Sequence, residues 1–94
     1  MKTLVWSKTF LRAFKQAIRR QPELEVRVKR SLQQLAEDPF HPSLHSHKLK
    51  GSLKGSWACT VDYDNRILFE LVKNPESGED DILLLTMGTH DEVY

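Results

Sequence analysis

The hydrophobic periodicity of this chain changes partway along its length, and that change constrains the fold more than any other feature. After a short β-prone run, Thr3–Trp6, apolar residues recur at helical spacing. Phe10, Phe14, Ala17 and Ile18, with Leu11 beside them, make one stripe; Leu24, Val28, Leu32 and Leu35 make a second. From Ser56 onward the period is two. Trp57, Cys59, Val61 and Tyr63 fall on one side of Ser56–Tyr63, and Ile67, Phe69 and Leu71 on one face of Arg66–Lys73. Asp81–Met87 is nearly continuously apolar, as expected of a strand central in a sheet.

Local signals punctuate these segments. Ser7 suits an N-cap, because its hydroxyl can accept from an unpaired N–H of the first turn. Gln21-Pro22 ends the first helix, since the residue before proline avoids the helical region. Pro22 suits the first turn of a second helix, with Glu23 and Glu25 at its positive end, and Asp38-Pro39 stops it. His41–Ser46 reads as a loop, His47–Lys50 as the beginning of short strands, and Gly51 and Gly55 as brackets of a turn. Asp64-Asn65 marks a tight turn and Asn74–Asp80 a polar hairpin loop. Gly88–Tyr94 closes the sequence with polar and aromatic groups. The pattern predicts an α+β domain over residues 1–94: two antiparallel N-terminal helices packed on a twisted, mainly antiparallel sheet, in the order β-α-α-β-β-β with room for an extra short strand. The sheet face away from the helices is then free to carry a site.

Ninety-four residues make one domain with a modest core. The longest apolar run, Ile82–Leu85, is too short to span a bilayer, and Met1–Lys8 lacks the apolar stretch of a signal peptide, so the expected location is the cytoplasm. A single cysteine, Cys59, excludes a disulfide framework and a cysteine-based zinc site within one chain. The net charge of +1 conceals an asymmetry: residues 1–57 carry 12 Lys/Arg against 4 Asp/Glu, a net +8, and residues 58–94 carry 2 against 9, a net −7. Such a split suits a basic surface for a polyanion or an acidic partner; it equally suits two halves that neutralise each other on folding.

No P-loop, Gly-x-Gly-x-x-Gly or His-Glu-x-x-His pattern is present. His41, His45 and His47 fall at i, i+4 and i+6, a spacing that matches no metal-ligand motif, and no cofactor is expected. Proton transfer is the other chemistry open to histidine. His47 precedes Lys48, Lys50 and Lys54, and His90 stands four residues before Tyr94; solvated loop and end residues would give the same spacing. Arg66, at the mouth of an apolar strand, could grip a phosphate or pair with Asp62 or Asp64. Trp6 and Trp57 suit a core better than a base-stacking platform.

Three runs together resemble the RelE/ParE toxin superfamily, and most closely its YafQ-like branch. They are His47-Lys-Leu-Lys-Gly-Ser-Leu-Lys-Gly-Ser-Trp57, Val61-Asp-Tyr-Asp-Asn-Arg-Ile-Leu-Phe69 and Thr86-Met-Gly-Thr-His-Asp-Glu-Val-Tyr94. The resemblance covers nearly the whole chain. It implies the toxin of a type II toxin–antitoxin pair: a metal-independent endoribonuclease, or mRNA interferase, that cleaves message in the ribosomal A site and so inhibits translation and growth. It also implies a cognate antitoxin, a small protein with an acidic or amphipathic segment wrapping the basic helices or covering the site in a hetero-oligomer. ParE-like members share the fold but poison DNA gyrase, and a non-catalytic member acting only in an antitoxin complex is a third reading. The resemblance carries active-site roles to His47, Asp64, His90 and Tyr94, and gives Arg66 the place of an arginine in YoeB-like relatives. Thr60 falls where YafQ-like toxins carry another histidine. Lys48, Lys50 and Lys54, with the basic helix face, are expected to contact the RNA backbone.

Overall fold

A computed structural model describes residues 1–51 and 55–94. Its elements are β1 (Leu4–Trp6), α1 (Lys8–Arg20), α2 (Leu24–Glu37), a 3₁₀ turn (Pro42–Leu44), β2 (His47–Lys48), β3 (Trp57–Thr60), β4 (Asn65–Lys73), β5 (Asp80–Thr89) and α3 (His90–Val93). The sheet order is β1-β5-β4-β3-β2. All neighbours are antiparallel except β1 and β5, which run parallel, so the sheet is mixed. β4 takes the central place, and β5, expected there, lies between β4 and β1. β2 is the extra short strand. Among the described residues no helix is long and apolar enough to cross a membrane.

α1 begins where its cap allows. The Ser7 hydroxyl accepts from Phe10 N–H at 3.0 Å and donates to the Leu85 carbonyl at 3.2 Å, so the residue that starts the helix also ties it to β5. α2 starts two residues later than Pro22, behind a tight turn in which Leu24 and Glu25 N–H donate to the Gln21 and Pro22 carbonyls. Both helical stripes pack on one sheet face. Phe10 and Phe14 of α1 and Leu24, Val28, Leu32 and Leu35 of α2 meet Cys59, Ile67, Phe69, Ile82, Leu84 and Met87. Trp6 stands edge-on to Phe10 and Phe14 at ring separations of 5.0 and 5.2 Å, and Trp57 packs edge-on to Phe40 at 4.9 Å; both tryptophans thus serve packing. Leu11, grouped with the first stripe by sequence, lies at its margin and is exposed.

Two departures from strict alternation shape the far end of the sheet. β3 stops at Thr60, and Tyr63, which period two would turn inward, is 91% exposed because residues 61–64 bend into the connection to β4. In β5 the register skips Leu85: Leu68 pairs with Thr86 but Phe69 pairs with Leu84. This β-bulge lets the run contain Leu83, Leu84 and Leu85 and still return Met87 to the core and Gly88 to the opposite face.

α3, a helical turn where only a closing polar segment was expected, follows directly. Thr89 N–H donates to the Glu92 carboxylate at 2.9 Å in a capping box. The turn folds back over Gly88: a Cβ there would stand 3.1 Å from Glu92 Cβ and 3.2 Å from Val93 Cγ1. Gly88→Ala is expected to push α3 off the sheet by a fraction of an ångström while leaving the melting temperature nearly unchanged, since the core is untouched. Amide exchange checks it: the Tyr94 N–H, which donates to the His90 carbonyl at 3.0 Å, should lose protection, and wild-type protection would show that the close approach is not required.

Candidate functional site

The cross-strand pairs define what lies on the sheet face opposite the helices. His47 pairs with Ala58, Ala58 with Leu68 and Leu68 with Thr86; one step along, Thr60 pairs with Arg66 and Arg66 with Gly88. Paired residues share a face, so His47, Thr60 and Arg66 all belong to this side, and α3 folds back onto it over Gly88. Four separate stretches of the chain therefore meet at one end of the open face.

Two neighbouring groupings result. In the first, Tyr94 lies between two histidines. Its ring meets His90 edge-on at 4.5 Å and His47 at 6.4 Å, and its hydroxyl is 3.4 Å from His47 Nε2. The tautomer of His47 follows from its other contact. Nδ1 is 3.2 Å from the His45 carbonyl, which can only accept, so Nδ1 carries the hydrogen and Nε2 of the neutral ring accepts from Tyr94. His45 presents that carbonyl from a left-handed conformation, φ 49°. Burial pushes the Tyr94 phenol above its ordinary value against the pull of the Arg66 guanidinium, which keeps the hydroxyl a donor.

The second grouping is an open groove lined by Tyr63, Asp64, Arg66, Thr89, His90 and Asp91. Arg66 does not pair with Asp62 or Asp64 through their carboxylates. Its Nη1 instead reaches the backbone carbonyls of Asp62, Tyr63 and Asn65 at 2.7, 3.0 and 3.1 Å. The turn is held from within by Asp62, whose Oδ1 accepts from Asp64 N–H, Asn65 N–H and Asn65 Nδ2 at 3.0, 2.8 and 3.0 Å, while Oδ2 faces Arg27 of α2 at 3.2 Å. Burial works to raise the Asp62 carboxyl, but the hydrogen bonds from Asn65, Asp64 and Arg27 outweigh it and hold it below the ordinary value. Asp62 was weighed in the sequence only as an ion-pair partner for Arg66. The signal for its actual place was the run Asp62-Tyr-Asp64-Asn65, since an aspartate that accepts from backbone N–H groups two and three residues on is a recurrent turn former.

The expected lysines sit apart. Lys48 pairs with Trp57, which packs against the core, so it belongs to the helix side of the sheet edge; its Nζ lies 5.6 Å from the Trp57 ring centre. Lys50 is exposed and borders a groove with Lys48, Leu49, Gly51 and Gly55. Lys54 lies outside the described residues. Cys59 is buried in the core under this end of the sheet, and burial pushes its thiol up to about 12, so it offers no thiolate at neutral pH.

Folding neutralises part of the charge asymmetry and leaves part of it at the surface. Among the described residues, Arg20 pairs with Glu92 at 3.4 Å and Arg27 with Asp62 at 3.2 Å, each joining the basic part of the chain to the acidic part. Lys8, Arg12, Lys15 and Arg19 make no such pair there, and with Leu11 and Gln16 they border two shallow grooves along the outer side of α1.

Comparison with solved structures places this fold among known toxins. YafQ from Escherichia coli strain BL21(DE3) superposes with a TM-score of 0.80 at 19% identity, over 100% of this chain and 99% of that one. The DinJ–YafQ complex of E. coli gives 0.77 at 20% identity, over 100% and 99%. A metal-bound toxin from Helicobacter pylori gives 0.70 at 26% identity, over 100% of both chains. Among the described residues of the present chain, no group of three or more His, Cys, Asp or Glu side chains is placed to hold a metal ion. Comparison with curated proteins gives no sequence match. Residues 2–94 match the family described as "Bacterial toxin of type II toxin-antitoxin system, YafQ". The chain belongs to the YafQ family of bacterial type II toxins.

Proposed function

We propose that this toxin is a metal-independent endoribonuclease that cuts message in the ribosomal A site, and so arrests translation in the cytoplasm. The observation that carries the reading is the convergence of titratable and cationic side chains from distant parts of the chain. His90, Asp64 and Arg66 line one groove, with Tyr94 edge-on to His90 and His47 beside Tyr94. A toxin that acts only by binding another protein has no need of acid–base groups gathered in this way.

The reaction that suits these groups is transesterification. The 2′-hydroxyl loses its proton to a base and its oxygen bonds to the adjacent phosphorus. The bond from phosphorus to the 5′-oxygen breaks, and an acid gives that oxygen a proton, leaving a 2′,3′-cyclic phosphate and a 5′-hydroxyl. DNA, without the 2′-hydroxyl, is not a substrate. His90 is the leading acid–base group. Asp64, on the same groove, is its complement, and His47, whose Nε2 already faces the Tyr94 hydroxyl, is the alternative. Arg66 holds the phosphate and offsets the negative charge gathering on it, because one face of its guanidinium is already fixed by the turn. Tyr94 stacks on a base and orients the scissile nucleotide. Lys50, Lys48, Lys54 and the cations of α1 contact the RNA backbone.

A cognate antitoxin follows the same likeness: YafQ is seen with DinJ in the E. coli complex. The cations on the outer side of α1 offer an acidic segment a surface for pairing, and a segment crossing the open face would cover the groove.

His90→Ala is expected to lower message cleavage by about 10²–10⁴-fold, the usual contribution of one proton-transfer group, with no change in melting temperature. Mapping of message ends after brief induction measures this. Undiminished cleavage and toxicity in that variant would remove His90 from the mechanism. Intact message with a DNA-damage response in the wild type would point to gyrase instead. RNA affinity should also fall with salt, with a log–log slope of about −0.7 for each phosphate contacted on a single strand. The slope should shrink when Lys15 and Arg19 are replaced by Ala, and an affinity indifferent to salt would exclude the backbone contacts.

A further inference from the structure

The turn between β3 and β4 is built around one carboxylate that touches no reacting group. We propose that Asp62 is a positioning residue of the site: it folds the Asp62–Asn65 turn so that three backbone carbonyls seize Arg66 Nη1 and present the remaining N–H groups of the guanidinium to the groove. The inference rests on the RNA-cleaving reading above, because it gives Arg66 a phosphate to hold.

The contacts run in series. Asp62 Oδ1 gathers the N–H groups of Asp64 and Asn65 and the Asn65 side-chain amide. This closes the bend and leaves the carbonyls of Asp62, Tyr63 and Asn65 within 3.1 Å of a single nitrogen. Asp62 Oδ2 reaches Arg27, which anchors the turn to the helix layer. Among the described residues Nη1 is the only guanidinium nitrogen of Arg66 with a protein partner, so Nε and Nη2 keep their hydrogens for a ligand. A guanidinium held by one nitrogen loses less freedom when it binds a phosphate than one on an unrestrained side chain. The arrangement also separates the two aspartates of the run. Asp62 is bound on both oxygens and faces away from chemistry; Asp64 accepts nothing from the turn and lines the groove.

The test uses the full chain and compares Asp62→Ala, Asp62→Asn, Arg66→Ala and the Asp62→Ala/Arg66→Ala double variant. Message cleavage by induced, translating ribosomes supplies kcat and KM, and ¹⁵N spectra report the guanidinium N–H groups of Arg66. Asp62→Ala is expected to lower kcat by about 10–10²-fold, the scale of a small misplacement of a group next to the reaction, with KM changed far less. Asp62→Asn, whose amide oxygen still accepts from Asn65 N–H, should recover most of that loss. The double variant should be close to Arg66→Ala alone, since the two residues act as one unit. Losses that multiply would overturn the inference while leaving the nuclease reading intact. A wild-type protein that cuts no RNA would remove that reading, and the spectra then decide: slowed rotation of the Arg66 guanidinium should vanish in Asp62→Ala, and its persistence there overturns the positioning role. Should Asp62→Ala fail to fold, Asp62→Asn decides: a folded Asp62→Asn as defective in kcat as Arg66→Ala overturns the role.

Discussion

The helices of this small chain cover only one face of its sheet, and the rest of the structure follows from that one-sided burial. A core of aromatic and aliphatic side chains joins α1 and α2 to alternate residues of β3, β4 and β5. The residues between them must face the other way. In β3 and β4 these include Thr60 and Arg66, and at the edge His47 of β2 joins them. Alternation that serves stability on one side thus delivers polar and ionisable groups to the other. Ala58 and Leu68, both buried on the open side, give that face a small apolar floor near the point where α3 folds back.

The two halves of the candidate site are held by different means. Asp64 and Arg66 belong to a turn fixed by Asp62, tied through Arg27 to α2 and continued directly into the central strand. His90 and Tyr94 belong to a single helical turn fixed by a capping box, by close approach to Gly88 and by an exposed ion pair between Glu92 and Arg20. Exposed pairs of that kind contribute little, so the capping box and the glycine carry most of the placement. The turn is therefore joined to both the helix layer and the central strand, whereas α3 is placed by its own cap and by its approach to β5.

Much of this was legible in the sequence, for identifiable reasons. The helical stripes gave both helices and their buried residues, because Leu24, Val28, Leu32 and Leu35 all face the core at the spacing that defines a helix face. Ser7 was readable as a cap, and the order of strands followed from turn residues and alternation. The exposure of Tyr63 was not, since period two continues through it on paper while Asp62 bends the chain away. The skipped Leu85 was hidden because three consecutive leucines hold no alternation from which a register could be read. α3 carried a signal that went unread, the Thr89-x-x-Glu92 spacing of a capping box. Likeness to known toxins, rather than spacing, supplied His47, Asp64, His90 and Tyr94 as a set, because residues as far as 47 positions apart share nothing local.

Thr60 shows how the framework tolerates change at the site. It stands directly opposite Arg66 on the open face, at the place where YafQ-like toxins carry a histidine. A histidine there would add a third imidazole beside His47 and His90 and compete with Arg66 for the same space. With threonine the position is smaller and uncharged, and the guanidinium becomes the nearest cation to the groove supplied by the strands themselves. The other ionisable groups of the candidate site lie at the edge of the open face, on β2, the β3–β4 turn and α3. Arg66 sits on the central strand of the sheet, whereas His90 opens the short helical turn that follows β5.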